Sequence, residues 1–142
     1  IKNWLAIIAI IAGTWFLKTE KADRIEMQWQ TYSLPAFESA LEAKRPILLD
    51  FYADWCIPCK ELNKYTFSDP EVIRLSQNFA LFQIDLTGKV TPEIQTLLEK
   101  YDIKGVPTII FINRNGREVE NLRLLGFEKP DSFIHRMQRA LE

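Results

Sequence analysis

The chain has 142 residues, enough for one folded domain and too few for a second catalytic unit. Its 18 Lys and Arg against 19 Asp and Glu leave a net charge of -1, so no basic excess is available to neutralise a phosphate backbone, which argues against nucleic acid as a partner. With 47% hydrophobic and 26% charged residues it has a globular composition, and its 2 Cys and 1 His exclude both a disulfide-stapled scaffold and a four-ligand zinc site built from Cys and His alone.

In chain order, Trp4 to Leu17 (WLAIIAIIAGTWFL) is an uncharged, mostly apolar run with Trp near both ends, which reads as membrane-inserted. As a helix it would cover roughly 21 Å at about 1.5 Å per residue, against a hydrocarbon core of roughly 30 Å. It would span a thin bilayer, or span with more helix upstream; the opening Ile1, in place of Met, fits a fragment or a processed product. A signal peptide is the alternative, but no small-x-small cleavage site follows Leu17. Residues 1–17 are therefore assigned to a membrane helix or its C-terminal part and 18–26 (KTEKADRIE) to a juxtamembrane linker. Residues 27–142 form one α/β domain.

Within that domain a short strand is expected over Met27 to Tyr32, then a helix from Pro35 to Ala43 with Phe37, Ala40 and Leu41 on one face. Pro46 to Tyr52 (PILLDFY) is nearly all apolar, the pattern of a central strand buried on both faces. A helix starts at the Cys56 motif, and Ser68-Asp69-Pro70-Glu71 supplies the cap, proline and acid of the next one, to about Asn78. Ala80 to Asp85 is a second apolar strand. Thr91-Pro92-Glu93 repeats the helix-start signal, with Ile94, Leu97, Leu98 and Tyr101 as the buried stripe. Thr108 to Ile112 is β-branched and aromatic, and Asn115-Gly116 is a hairpin signal into an antiparallel strand around Glu118 to Leu125. Pro130 opens a terminal helix to Leu141 whose apolar face is Phe133, Ile134, Met137 and Leu141; His135 falls on its surface.

Cys56 and Cys59 stand directly after a buried strand and at the start of a helix, the arrangement on which dithiol exchange depends. A thiolate is the nucleophile, and a helix N-terminus, with its unpaired N–H groups and partial positive charge, favours it. Cys56 is the expected attacking residue and Cys59, one turn further in, the resolving one. Haem attachment would need a His after the second cysteine, where Lys60 stands, and an inert buried pair is the remaining alternative. Asp50 interrupts the central apolar strand, where an unpaired carboxylate either raises its pKa until it is protonated or finds a buried partner such as a lysine. A carboxyl poised near neutral pH beneath the dithiol can exchange a proton with Cys59.

The run Asp50-Phe51-Tyr52-Ala53-Asp54-Trp55-Cys56-Ile57-Pro58-Cys59-Lys60 resembles the active site of the thioredoxin superfamily, and Gly105-Val106-Pro107-Thr108 resembles its cis-proline loop. The continuation Lys64-Tyr65-Thr66-Phe67-Ser68-Asp69-Pro70-Glu71-Val72 is similar to the C-terminal periplasmic domain of the DsbD family, a likeness covering about Trp29 to Leu141. This implies a thioredoxin fold: a mixed sheet with central parallel strands and a C-terminal antiparallel hairpin, flanked by helices. It implies no cofactor other than the redox-active Cys56–Cys59 disulfide and no metal. It also implies a relay in which a membrane electron-donor domain reduces this domain, which reduces a periplasmic acceptor domain. The resemblance further implies a bacterial inner-membrane location with the domain in the periplasm, although Lys18, Lys21 and Arg24 against Lys2 alone would point it inward.

By the same resemblance Val106–Pro107 is cis and lies against the dithiol, where the Val106 backbone pairs with an incoming extended segment. Trp55, Ile57 and Pro58 complete the partner-binding surface, a pure core role being the alternative for Trp55. Family members often carry a second acid four residues after the second cysteine; here that position is Asn63, and Glu61 turns to another face. The rival readings are a separate single-anchor thioredoxin-like protein for cytochrome c maturation or disulfide oxidation, and a non-catalytic binding module.

Overall fold

A computed structural model of the protein describes residues 26–142. The expected membrane segment 1–17 and nearly all of the linker 18–26 lie outside the described residues. Among the described residues no helix is long and apolar enough to cross a membrane.

In chain order come β1 (Gln30–Thr31), α1 (Leu34–Glu42), β2 (Ile47–Tyr52) and α2 (Ile57–Glu61), which runs into a π turn (Leu62–Thr66). Then follow α3 (Pro70–Ser76), β3 (Ala80–Asp85), α4 (Pro92–Lys100), β4 (Thr108–Ile112), a 3-10 turn (Glu120–Leu122), β5 (Leu124–Leu125) and α5 (Pro130–Leu141). The strands form one sheet in the order β1-β3-β2-β4-β5. β1 and β2 run parallel to β3, β4 runs antiparallel to β2, and β5 antiparallel to β4.

The continuous apolar run of β2 is explained by its central place, since Ile47, Leu48, Leu49 and Phe51 are all fully buried. Alternation sends Leu48 to one face, where it clusters with Leu81, Ile109 and Phe111 of the sheet and Leu62, Val72, Phe133 and Met137 of the covering helices. Ile47, Leu49 and Phe51 go to the other face, under Phe37 of α1 and Leu97 of α4. The helix starts follow their sequence signals. Asp69 Oδ1 accepts the N–H groups of Glu71 and Val72, and Thr91 Oγ1 accepts that of Ile94.

Two expectations need correction. The strand expected over Met27 to Tyr32 shrinks to Gln30–Thr31, an edge strand, with Met27 and Tyr32 buried as loop residues. The strand expected over Glu118 to Leu125 is broken: Ile112 bridges Glu118, while Ile109 pairs with Leu124. Three steps along β4 thus face six along the opposite stretch, and the surplus is taken up by the 3-10 turn Glu120–Leu122. That turn buries Leu122 to 2% exposure and is clamped by Arg123, which donates to Glu118 through Nε at 2.7 Å and Nη2 at 2.9 Å. The Asn115-Gly116 turn itself forms. Asn113 Oδ1 accepts from the N–H groups of Asn115 and Arg117, and Gly116 has φ +72°, a value glycine adopts without strain.

Candidate active site

β2 ends at Tyr52, and the chain turns at once: Cys56 N–H donates to the Ala53 carbonyl at 3.1 Å. Cys56 is the N-cap of α2, with an extended backbone at φ -82° and ψ 109°. Its Sγ accepts the Cys59 N–H at 3.2 Å, taking the place that a Ser or Asp oxygen occupies at an ordinary cap. Pro58 sits in the first turn, where its missing N–H breaks no helical bond. Cys56 and Cys59 are joined by a disulfide with Cα atoms 5.3 Å apart. Both are almost wholly buried, packed with Ala53 against Tyr52 and Val106.

Of the other expected site residues, Val106 packs against this pair. Val106–Pro107 is a cis peptide, half-buried at Val106 and buried at Pro107. Its loop is held by Thr108 Oγ1 donating to the Gly105 carbonyl at 2.7 Å and Gly126 N–H donating to the Pro107 carbonyl at 3.1 Å. Trp55 and Ile57 are 66% and 63% exposed, two large apolar side chains on either side of a buried sulfur, so Trp55 takes no core role. Asn63 and Glu61 are exposed, as is His135 on α5. Among the described residues no group of three or more His, Cys, Asp and Glu side chains is placed to hold a metal ion.

Asp50 is 2% exposed. It shares a sheet face with Leu48, which packs with Leu62 of the helical run that Cys56 opens, so the carboxyl lies on the dithiol's side of the sheet. Its partner is not a lysine: Asp50 pairs in register with Gln83 of β3, whose Nε2 donates to Asp50 Oδ2 at 3.0 Å. Burial pushes the Asp50 pKa up from 3.8 to about 7, against the smaller downward pull of the Gln83 hydrogen bond.

Sequence reasoning missed the polar residues beside this carboxyl. Tyr52, two residues along β2, pairs in register with Asp85, and burial followed by the negative charge of Asp85 raises its pKa. Asp85 Oδ1 accepts from both the N–H and the hydroxyl of Thr87, and Thr87 Oγ1 in turn accepts the Asp54 N–H at 2.9 Å. The loop before Cys56 is therefore tied to the end of β3. The available signal was Gln83, a polar interruption of the apolar strand Ala80 to Asp85 that mirrors Asp50 in Pro46 to Tyr52.

A family profile described as a thioredoxin-like domain matches residues 35–141. The chain is 39% identical over 124 residues to a thiol:disulfide interchange protein DsbD of Vibrio vulnificus, covering 87% of this chain and 19% of that protein. A DsbD of Haemophilus influenzae is 42% identical over 94 residues, covering 66% of this chain and 16% of that protein. The chain thus spans less than a fifth of the length of these relatives. Among solved structures, the reduced C-terminal domain of Neisseria meningitidis DsbD superposes with a TM-score of 0.65 at 40% identity, covering 75% of this chain and 92% of that one. Its oxidised form gives 0.65 at 38%, covering 79% and 99%.

Proposed function

This chain belongs to the thioredoxin-like family, alongside the C-terminal domains of DsbD, and from that footing we propose that it is a thiol:disulfide oxidoreductase relaying electrons through Cys56 and Cys59 to disulfides of partner proteins. The observation that carries this is the placement of Cys56 as a helix N-cap at the carboxyl end of the central strand, its sulfur receiving the Cys59 N–H.

In the reduced domain the Cys56 thiolate attacks one sulfur of a partner disulfide, forming a mixed disulfide and releasing the partner's other sulfur as a thiolate. Cys59 then loses its proton to the Asp50 carboxylate and attacks Cys56 Sγ. The Cys56–Cys59 disulfide forms, the partner leaves as a dithiol once protonated, and two electrons have passed to it. Reloading runs the same steps backwards from a donor dithiol. A carboxyl with a pKa near 7 can both accept and return that proton at neutral pH.

Trp55, Ile57 and Pro58 at the helix start, with Val106 and Pro107 opposite, form the surface on which the partner's cysteine segment docks, the Val106 backbone pairing with it in extended conformation. Residues 1–17 tether the domain to the bacterial inner membrane, through the linker 18–26, with residues 27–142 in the periplasm. Electrons pass through the Cys56–Cys59 dithiol and its disulfide. The donor is a membrane domain and the acceptor a periplasmic domain, as in a DsbD relay.

The test is reduction of insulin disulfides by the dithiothreitol-reduced chain. The expected result is turnover that Cys56→Ala or Cys59→Ala abolishes; a chain inert towards insulin and glutathione alike would leave a binding module.

A further inference from the structure

At the carboxyl end of β2 and β3 the sheet face under α2 changes from apolar to polar. Asp50 and Tyr52 on one strand stand opposite Gln83 and Asp85 on the other. On its other side Asp50 pairs with Ile109 of β4, which offers only hydrocarbon. Among the described residues, the one side-chain hydrogen bond that Asp50 accepts is from Gln83 Nε2, at 3.0 Å to Oδ2.

We propose that Gln83 is a positioning residue for thiol-disulfide exchange: its amide pins Oδ2 of Asp50 against β3, leaves Oδ1 to take and return the Cys59 proton, and sets the pH at which that carboxyl works. This deepens the proton-transfer role given to Asp50 and rests on it. The residue type matters. A lysine at position 83 would hold Asp50 ionised across the physiological range, and a leucine would leave desolvation unopposed and the carboxyl protonated at neutral pH. A neutral N–H donor bonds the carboxylate more strongly than the acid and offsets part of the burial cost. The proton affinity then lies between those extremes.

The other titratable groups at this end are Tyr52 on β2, Asp85 on β3, Asp54 in the active-site loop and the two cysteines of the α2 start. The helical side chains over the rest of the face, Leu62, Phe133 and Met137, are uncharged. None of these changes in the variants below.

The experiment follows the oxidation of the reduced full chain by glutathione disulfide from pH 5 to 9, for wild type, Gln83→Met, Gln83→Glu, Asp50→Asn and Asp50→Asn/Gln83→Met. Gln83→Met keeps the length of the side chain and removes the donor. It is expected to move the Asp50 inflection up by about one pH unit, a tenfold change in proton affinity, slowing exchange several-fold at pH 7 and little at pH 9. Gln83→Glu, which sets a second acid against Asp50, is expected to move it at least as far. In Asp50→Asn the inflection disappears, and adding Gln83→Met then changes nothing. If Asp50→Asn removes the inflection while both Gln83 variants, folded by circular dichroism, leave it in place, the role of Gln83 is overturned and that of Asp50 stands. If the inflection survives Asp50→Asn, both fall.

Discussion

A carboxyl kept at 2% exposure on the central strand makes the stability of this domain depend on pH through one residue. Between pH 4 and pH 7 folded Asp50 holds a proton that the unfolded chain has released. The contribution of Asp50 to stability is therefore fully present below about pH 4, falls as pH rises through this window, and levels off above about 7. The gap between 3.8 and about 7 corresponds to roughly 4 kcal/mol at most. Asp50→Asn lifts this penalty, so in urea denaturation of the oxidised protein its advantage over wild type is expected to grow from pH 5 to pH 8, approaching that figure. An advantage that stays constant would mean that the carboxyl does not titrate in this range. The acid itself was legible in the sequence, because a charge inside PILLDFY has nowhere to go but the core. Its partner was not, since only the β2–β3 register brings Gln83 to it across 33 positions of chain.

The elements followed their local signals wherever one chain segment decides the outcome. The caps at Asp69 and Thr91, the buried β2 and the amphipathic α5 (Pro130–Leu141) are of this kind. The misread elements were settled by tertiary pairing. The three surplus residues opposite β4 fold into a 3-10 turn because Leu122 gains a place in the core and Arg123 reaches Glu118. The π turn after α2, closed by Phe67 N–H donating to the Leu62 carbonyl at 2.8 Å, buries Thr66, whose hydroxyl bonds the Glu128 carbonyl before α5. Such contacts leave no period in the sequence.

The Thr87 link is testable at this scale. Because its hydroxyl donates to Asp85, its lone pairs face the Asp54 N–H, and Thr87→Val removes that bond at nearly constant volume. On an exposed loop this is expected to cost about 1 kcal/mol and to slow insulin reduction by less than tenfold, with Thr87→Ser retaining the wild-type rate. Equal loss in both variants would trace the effect to packing. In the core, Phe133→Ala removes a fully buried ring and is expected to cost about 3–5 kcal/mol in the same denaturation assay. A cost under about 1 kcal/mol would contradict the packing of α5 on the sheet.

For the molecule as a whole, the sheet order places the turn leaving β2, which carries the two cysteines, and the turn entering β4, which carries the cis proline, side by side at one end of neighbouring strands. Stability comes from two apolar layers, one on each face of the sheet, and the layer under the Cys56 helix gives way to polar groups at Asp50 and Gln83. The α/β class was readable from the alternation of strands and helices; the meeting of the two turns was implied only by the resemblance of Gly105-Val106-Pro107-Thr108 to the thioredoxin superfamily. The membrane attachment proposed for residues 1–17 has a direct readout: the full chain is expected to sediment with membranes and a chain lacking 1–17 to remain in the supernatant, whereas equal partition would remove the tether. The central claim, that Cys56 captures and Cys59 resolves, is tested most directly by mixing reduced Cys59→Ala with a disulfide-bonded peptide and mapping the product under non-reducing conditions. The expected product is a stable adduct through Cys56. A Cys56→Ala chain that traps the peptide through Cys59, with no adduct from Cys59→Ala, would reverse the assignment.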